Sequence, residues 1–198
     1  MKSLFLVSGG LDSTSGMYRF KHVEYDCLHV NYGQRAYMEQ SKFVKLHCRR
    51  LGKRLIEVDL KEMGKMFRRN EVFQLHEPIR HRNAVLLPLA IVYASEKGYS
   101  SVYVFTVSEE CKYESNKPQV LNLMRRLADT LNTRLVFPFL GFSKALVLKV
   151  GISHGMNPFE TYSCILGHKT HCGKCSQCEA RKLAFQEARI PDKTRYLS

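Results

Sequence analysis

The sequence predicts an α/β fold, a layered and mainly parallel sheet with helices on both faces, followed by a small cysteine-rich unit. Three observations predict it. Short β-like runs alternate with helical patterns over residues 1–150, the order in which crossover units build a parallel sheet. A glycine-rich stretch, SGGLDST, falls between the first of these runs and the first helix. The last quarter changes character and gathers Cys164, Cys172, Cys175 and Cys178.

The elements follow in order. Residues 3–7 form the first strand and residues 12–20 a short helix. YDCLHVN, residues 25–31, is the second strand. Residues 36–51 are strongly helical, with Met38, Phe43, Leu46 and Leu51 as an apolar stripe and Gly52 as the stop. Residues 54–60 form a third strand. Residues 61–80 are polar, basic and aperiodic, and read as a loop with a helical turn. Residues 82–97 form an apolar helix that ends at Gly98, and Pro88 is expected to kink or restart it. A fourth strand over 100–107, a helix over 118–131, a fifth strand over 134–137 and a short helix over 143–150, stopped at Gly151, complete the series. The first unit is placed at 1–150 and the second at 151–198, with no internal repeat or low-complexity linker between them.

A chain of 198 residues with 44% hydrophobic content can bury a proper core. No apolar run approaches the roughly 18 residues of a membrane span. Residues 4–7 are the whole N-terminal apolar stretch, too short for a signal peptide, so the chain is read as cytoplasmic. In that compartment its seven cysteines stay reduced, and a cluster points to metal or catalysis rather than disulfides. Scattered Cys27 and Cys48 read as small buried hydrophobes. Cys111, after the fourth strand, has no base and orienting group beside it in the sequence. The balance of 31 Lys and Arg against 18 Asp and Glu gives +13. That charge favours anionic partners, whether nucleotides and carboxylates or a nucleic-acid backbone.

The cysteines are spaced C-x7-C-x2-C-x2-C. Four thiolates suit a tetrahedral Zn²⁺, and a closed shell of four leaves no position for water, so the site reads as structural. Gly173 permits a tight knuckle and Lys174 offsets the tetrathiolate charge. An iron–sulfur cluster also takes four thiolates, and His168 or His171 could replace Cys164.

In SGGLDST, backbone N–H groups at a helix start and glycines that allow close approach make an anion site. Ser8, Ser13 and Thr14 add hydroxyl donors. Asp12 would repel a bare phosphate and makes sense if it holds Mg²⁺ against one. The bland reading is a glycine-rich turn in which Asp12 or Ser13 caps a helix. The stretch is neither a Walker A nor a dinucleotide-binding fingerprint.

SGGLDS resembles the PP-loop of the N-type ATP pyrophosphatases. That resemblance implies cleavage between the α and β phosphates, with AMP left on a substrate oxygen and pyrophosphate released. Three further stretches resemble the 7-cyano-7-deazaguanine synthase family: VNYGQR at 30–35, HRNAVLLPLAIVYA at 81–94, and TYSC followed by CGKCxxCxxRKxAF, with Arg181, Ala184 and Phe185. The resemblance runs in order from Ser8 to Phe185. It implies a Rossmann-like, adenine nucleotide alpha hydrolase-like fold with a C-terminal zinc-binding subdomain, and a ligase of queuosine-precursor biosynthesis that forms C–N bonds. Its substrates would be 7-carboxy-7-deazaguanine, ammonia and ATP with Mg²⁺, its product the nitrile reached through the amide, and its assembly a homodimer.

Carried over, Ser8, Gly9, Gly10, Leu11, Asp12, Ser13 and Thr14 would bind ATP and pyrophosphate, with Asp12, Ser13 and Lys144 catalytic. Tyr32, Gln34, Arg82, Asn83, Tyr113 and Ser115 would form the substrate site, and Cys164, Cys172, Cys175 and Cys178 would hold structural zinc. The chain departs from the family pattern in KYESNKP, where Ser115 replaces the aspartate that reads the base edge, a loss of the paired acceptor. Asn31 stands for an Asp, and Arg80-His81 for Pro-Gly. A related enzyme that stops at the amide, uses another amine or modifies a nucleic-acid base is the alternative. A non-catalytic zinc-knuckle protein that binds nucleic acid is the third reading.

Overall fold

A computed structural model describes residues 2–67 and 76–197. Five strands, β1 (Ser3–Leu6), β2 (Tyr25–Asn31), β3 (Leu55–Asp59), β4 (Ser101–Val104) and β5 (Arg134–Val136), form one sheet in the order β3-β2-β1-β4-β5. All pairings are parallel, and Ser3 is flanked in register by Tyr25 and Ser101. The chain winds outward from β1 through β2 to β3, then crosses back to β4. The carboxyl ends of β1 and β4 therefore mark the point where strand order reverses, which is where crevices open in such sheets.

Strand alternation sends successive residues to opposite faces. On one face Phe5, Val7 and Cys27 pack under α1 (Leu11–Arg19), α2 (Tyr37–Arg50), α6 (Lys144–Ser153) and α7 (Ser176–Ala188). On the other, Leu4, Leu28 and Val102 pack under α4 (Asn83–Glu96) and α5 (Pro118–Thr130). With both faces covered, β2 is buried from Tyr25 to Val30. Asp26, at 2% exposure, is satisfied there by the Tyr99 hydroxyl at 2.7 Å and the Lys2 ammonium at 2.9 Å.

Four expectations change. The buried face of α2 is Ser41, Val44, His47 and Cys48, while Met38 is exposed; the stripe sits on the neighbouring helix face, because Tyr18 and Glu160 give His47 polar partners inside. Pro88 lies within one continuous α4, so it does not restart the helix. The fourth strand is shorter than expected, ending at Val104. Gly151 does not stop α6 but lies within it, buried, where a Cβ would come 2.4 Å from Ser15 Oγ on α1. It is the residue that lets the two helices touch.

A short helix, α3 (Lys61–Met66), opens the aperiodic segment, of which residues 68–75 lie outside the described residues. Helix α6 spans residue 150, and Phe185 and Ala188 of α7 share a core cluster with Phe5. No helix among the described residues is long and apolar enough to cross a membrane.

Candidate active site and metal centre

The stretch after β1 turns into α1 through Gly9, at φ +74, where a Cβ would meet the Gln40 carbonyl oxygen at 2.6 Å. Only glycine fits. The N-cap of α1 is Gly10, and no side chain caps the helix, so neither Asp12 nor Ser13 plays that part. Ser13 Oγ instead accepts from Ser8 N at 3.1 Å and pairs with Ser8 Oγ at 3.2 Å. The first amides of α1 have no side-chain acceptor, which leaves an anion-ready helix start.

The loop opens on a cavity of about 570 Å³. Ser8, Gly10, Leu11, Asp12 and Ser13 line it, as do Tyr32, Gln34, Arg82, Asn83, Tyr113, Ser115 and Lys144. The sheet thus gathers residues as far apart in sequence as Leu6 and Gln177 around one space. Gly9 and Thr14 are not among its lining residues; Thr14 is fully buried beneath the loop. Leu11, 2% exposed, belongs to the core. Asn31, outside the cavity lining, spends its side chain on the turn, accepting from Gly33 N at 3.1 Å.

Lys144 begins α6, and its ammonium pairs with Asp12 Oδ2. The side chains are 12% and 15% exposed. Burial works against the ammonium, but the charges of Asp12 and then Glu110 more than offset it and hold the Lys144 pKa above its ordinary value. Glu109 fixes the backbone here, accepting from Lys144 N at 2.8 Å. The other oxygen of Asp12, Oδ1, is buried and has no hydrogen-bond partner among the described residues.

The remaining polar groups form two further knots. Tyr32 donates its hydroxyl to Glu77 Oε2 at 2.7 Å, and Arg82 Nη1 lies 3.4 Å from the same oxygen. Gln34 accepts from Tyr32 N at 2.9 Å and donates to the Val30 carbonyl at 3.0 Å, bracing the turn after β2. Asn83 donates to Asn116 Oδ1 at 2.6 Å, and Asn116 donates to the Glu110 carbonyl at 3.3 Å. Burial pushes the Glu110 carboxyl above its ordinary pKa, with Lys144 opposing and Asp12 adding.

Sequence reasoning missed Glu77, Glu110, Asn116 and His29, all of which line the cavity. The signal was thin. Glu109-Glu110 is an acidic pair at a strand end in a basic chain, and Glu77 interrupts a basic stretch.

Beside the cavity, whose lining includes Ser163, Ile165 and Ser176, the sulfurs of Cys164, Cys172, Cys175 and Cys178 lie within 4.8 Å of one another and could hold a metal ion. Hydrogen bonding with Cys178 pulls the Cys164 thiol well below its ordinary pKa. Lys174 N and Cys175 N point at Cys172 Sγ from 3.4 and 3.3 Å. His171 stands outside the group: its Nε2 accepts from Ser163 N at 3.0 Å. Cys27 and Cys48 are buried, and Cys111 bonds weakly to the Val107 carbonyl at 3.7 Å.

A glycine-rich loop with unclaimed helix amides, set at the strand-order reversal of a parallel sheet beside a buried Lys–Asp pair, defines an α/β enzyme of the nucleotide-using kind. More narrowly, the chain belongs to the queuosine biosynthesis protein QueC family, whose model matches residues 2–189. It is 44% identical over 200 residues to "7-cyano-7-deazaguanine synthase 1" of Sulfurisphaera tokodaii, covering 100% of this chain and 99% of that one. It is 30% identical to the 7-cyano-7-deazaguanine synthase of Methanospirillum hungatei, covering 99% and 100%. Among solved structures, the fold resembles NMN synthetase from Francisella tularensis with a TM-score of 0.61 at 9% identity, covering 96% of this chain and 78% of that one.

Proposed function

We propose that the chain converts 7-carboxy-7-deazaguanine to 7-cyano-7-deazaguanine, spending two ATP and one ammonia. The observation that carries this is the single cavity in which the SGGLDST loop, the Asp12–Lys144 pair and the Arg82–Asn83 and Tyr113–Ser115 segments meet. Full-length similarity to enzymes named for that product supports the same reading.

In the first half-reaction a substrate carboxylate oxygen attacks the α-phosphorus of ATP and pyrophosphate leaves. The amides of α1, with Ser8 and Ser13, hold the leaving pyrophosphate where charge accumulates, and Lys144 stabilises the α-phosphoryl oxygens. Ammonia then displaces AMP, giving the amide and a proton. In the second, the amide oxygen attacks the α-phosphorus of a second ATP and pyrophosphate leaves; loss of AMP and of the two amide protons then leaves the nitrile. Mg²⁺ carried with ATP would neutralise phosphate charge, and the unclaimed Asp12 Oδ1 is an oxygen suited to hold it. Arg82 and Asn83, steadied by Glu77 and Asn116, would orient the base.

The four thiolates would hold a structural Zn²⁺. A tetrahedron with Zn–S of about 2.3 Å places sulfurs about 3.8 Å apart, and Cys172–Cys178 and Cys164–Cys175 stand at 3.8 and 4.0 Å. A cubane iron–sulfur cluster would put each thiolate on a separate iron and spread them further. The protein acts on free small molecules and assembles as a homodimer in this reading.

Isotope transfer tests the adenylation. With substrate labelled by ¹⁸O in the carboxylate, each of the two AMP molecules should carry one ¹⁸O. Unlabelled AMP, from attack of water on ATP, would refute it.

A further inference from the structure

His29 takes no part in the chemistry above, yet it borders the cavity near the carboxyl end of β2. It is 1% exposed. Its Nδ1 lies 2.9 Å from the Val7 carbonyl oxygen. A carbonyl can only accept, so Nδ1 carries the proton. Burial lowers the imidazole pKa more than the Val7 carbonyl and Glu57 raise it, so the ring is neutral. A neutral ring protonated at Nδ1 presents a bare lone pair at Nε2. That nitrogen is buried and has no hydrogen-bond partner among the described residues. Tyr37 stacks on the ring at 5.2 Å and 8°, and Glu57 in turn holds the Tyr37 hydroxyl at 3.1 Å. The ring is pinned with its lone pair unmet.

A buried acceptor without a donor is costly, and the cavity indicates which donor arrives. The SGGLDST loop follows β1 in the middle of the sheet, with β2 on one side and β4 on the other. Ser115 and Glu110 follow β4, whereas His29 lies on β2. If phosphates rest on the loop and the deazaguanine lies on the β4 side, the nucleoside of ATP falls on the β2 side. Val7 and Leu11, both in the cavity wall and in the core cluster on the same face of the sheet as His29, supply apolar surface for a flat heterocycle there. Adenine carries an exocyclic amine, a donor, where guanine carries a carbonyl oxygen, an acceptor. The geometry points to His29 Nε2 as the acceptor for the exocyclic amine of ATP, which makes His29 the residue that selects adenine over guanine. This rests on the adenylation proposed above.

The test is equilibrium binding of α,β-methylene triphosphates to the full chain by calorimetry, with no deazaguanine present. The unmodified protein should bind the adenosine analogue at least about tenfold more tightly than the purine-riboside analogue, which lacks only the amine, and more tightly than the guanosine analogue. In His29→Ala that ratio should fall towards one, and His29→Gln, which keeps an acceptor oxygen, should recover part of it. Equal binding of the amine-bearing and amine-lacking analogues by the unmodified protein would overturn the assignment without needing any variant to fold. So would a ratio that depends on the ribose 2′-hydroxyl instead, read with the 2′-deoxy analogue. Failure of every nucleotide to bind would sink the adenylation reading, and this inference with it.

Discussion

Asp12 has two oxygens with different partners: Oδ2 meets the Lys144 ammonium, and Oδ1 is buried without one among the described residues. Lys144→Met should therefore do two things. Pyrophosphate release should fall by a factor on the order of 10²–10³, the usual cost of losing a transition-state charge contact. Stability should fall by about 3 kcal/mol, the lower part of the range for breaking a buried pair, because both side chains keep some exposure. Thermal unfolding measures the second effect separately from the first. Histidine protonation gives a second expectation at this scale. Burial lowers the pKa of His29 and His47 below 6.5. The unfolded chain then binds more protons, so their contribution is fully present above about pH 6.5 and is lost as pH falls below it. The melting temperature should drop between pH 7 and 5, and His47→Gln should flatten that slope. The loop residues were legible because a motif needs glycines, hydroxyls and a carboxylate at fixed spacing. His29 and Glu110 were not, because their roles come from what the sheet sets beside them.

At the scale of elements, α1 and α6 meet through Gly151, and the segment around Thr161–Cys164 ties the cysteine cluster to the loop. Tyr162 N donates to the Gly9 carbonyl at 2.8 Å, two residues before Cys164. Arg181 of α7 holds that segment through Thr161 Oγ1 at 2.8 Å and the Pro158 carbonyl at 2.7 Å. Gly151→Ala should cost about 1–3 kcal/mol through overpacking against Ser15 and Met156, read from denaturant unfolding. Chelating the metal should weaken ATP binding while the far-ultraviolet circular dichroism of the sheet and helices persists, and metal analysis should find zinc rather than iron. Element existence was legible from alternating apolar runs and the glycine stops at 52 and 98. Packing details were not. A glycine that ends a helix and one that admits a neighbouring helix look the same in sequence, and the face of α2 was set by a buried His47 whose partners, Tyr18 and Glu160, are distant in sequence.

The whole molecule follows from one topological fact. Strand order reverses between β1 and β4, so the first loop, the start of α4, the segment after β4 and the start of α6 converge on one crevice. The parallel α/β class was legible, since strands alternating with helices require crossovers. The strand order itself was not, because pairing is decided by which hydrophobic faces cover one another. The +13 charge favours anionic partners, which the proposed triphosphate and carboxylate are, and Ser115, standing where the family resemblance implies an aspartate, makes product identity the sharpest question. The direct measurement is mass spectrometry of the protein incubated with 7-carboxy-7-deazaguanine, ammonium and ATP with Mg²⁺. The expected result is 7-cyano-7-deazaguanine with two AMP formed per nitrile, and neither nitrile nor AMP with Asp12→Ala. ATP turnover that yields neither amide nor nitrile from this substrate, but proceeds with RNA or a different amine, would contradict it.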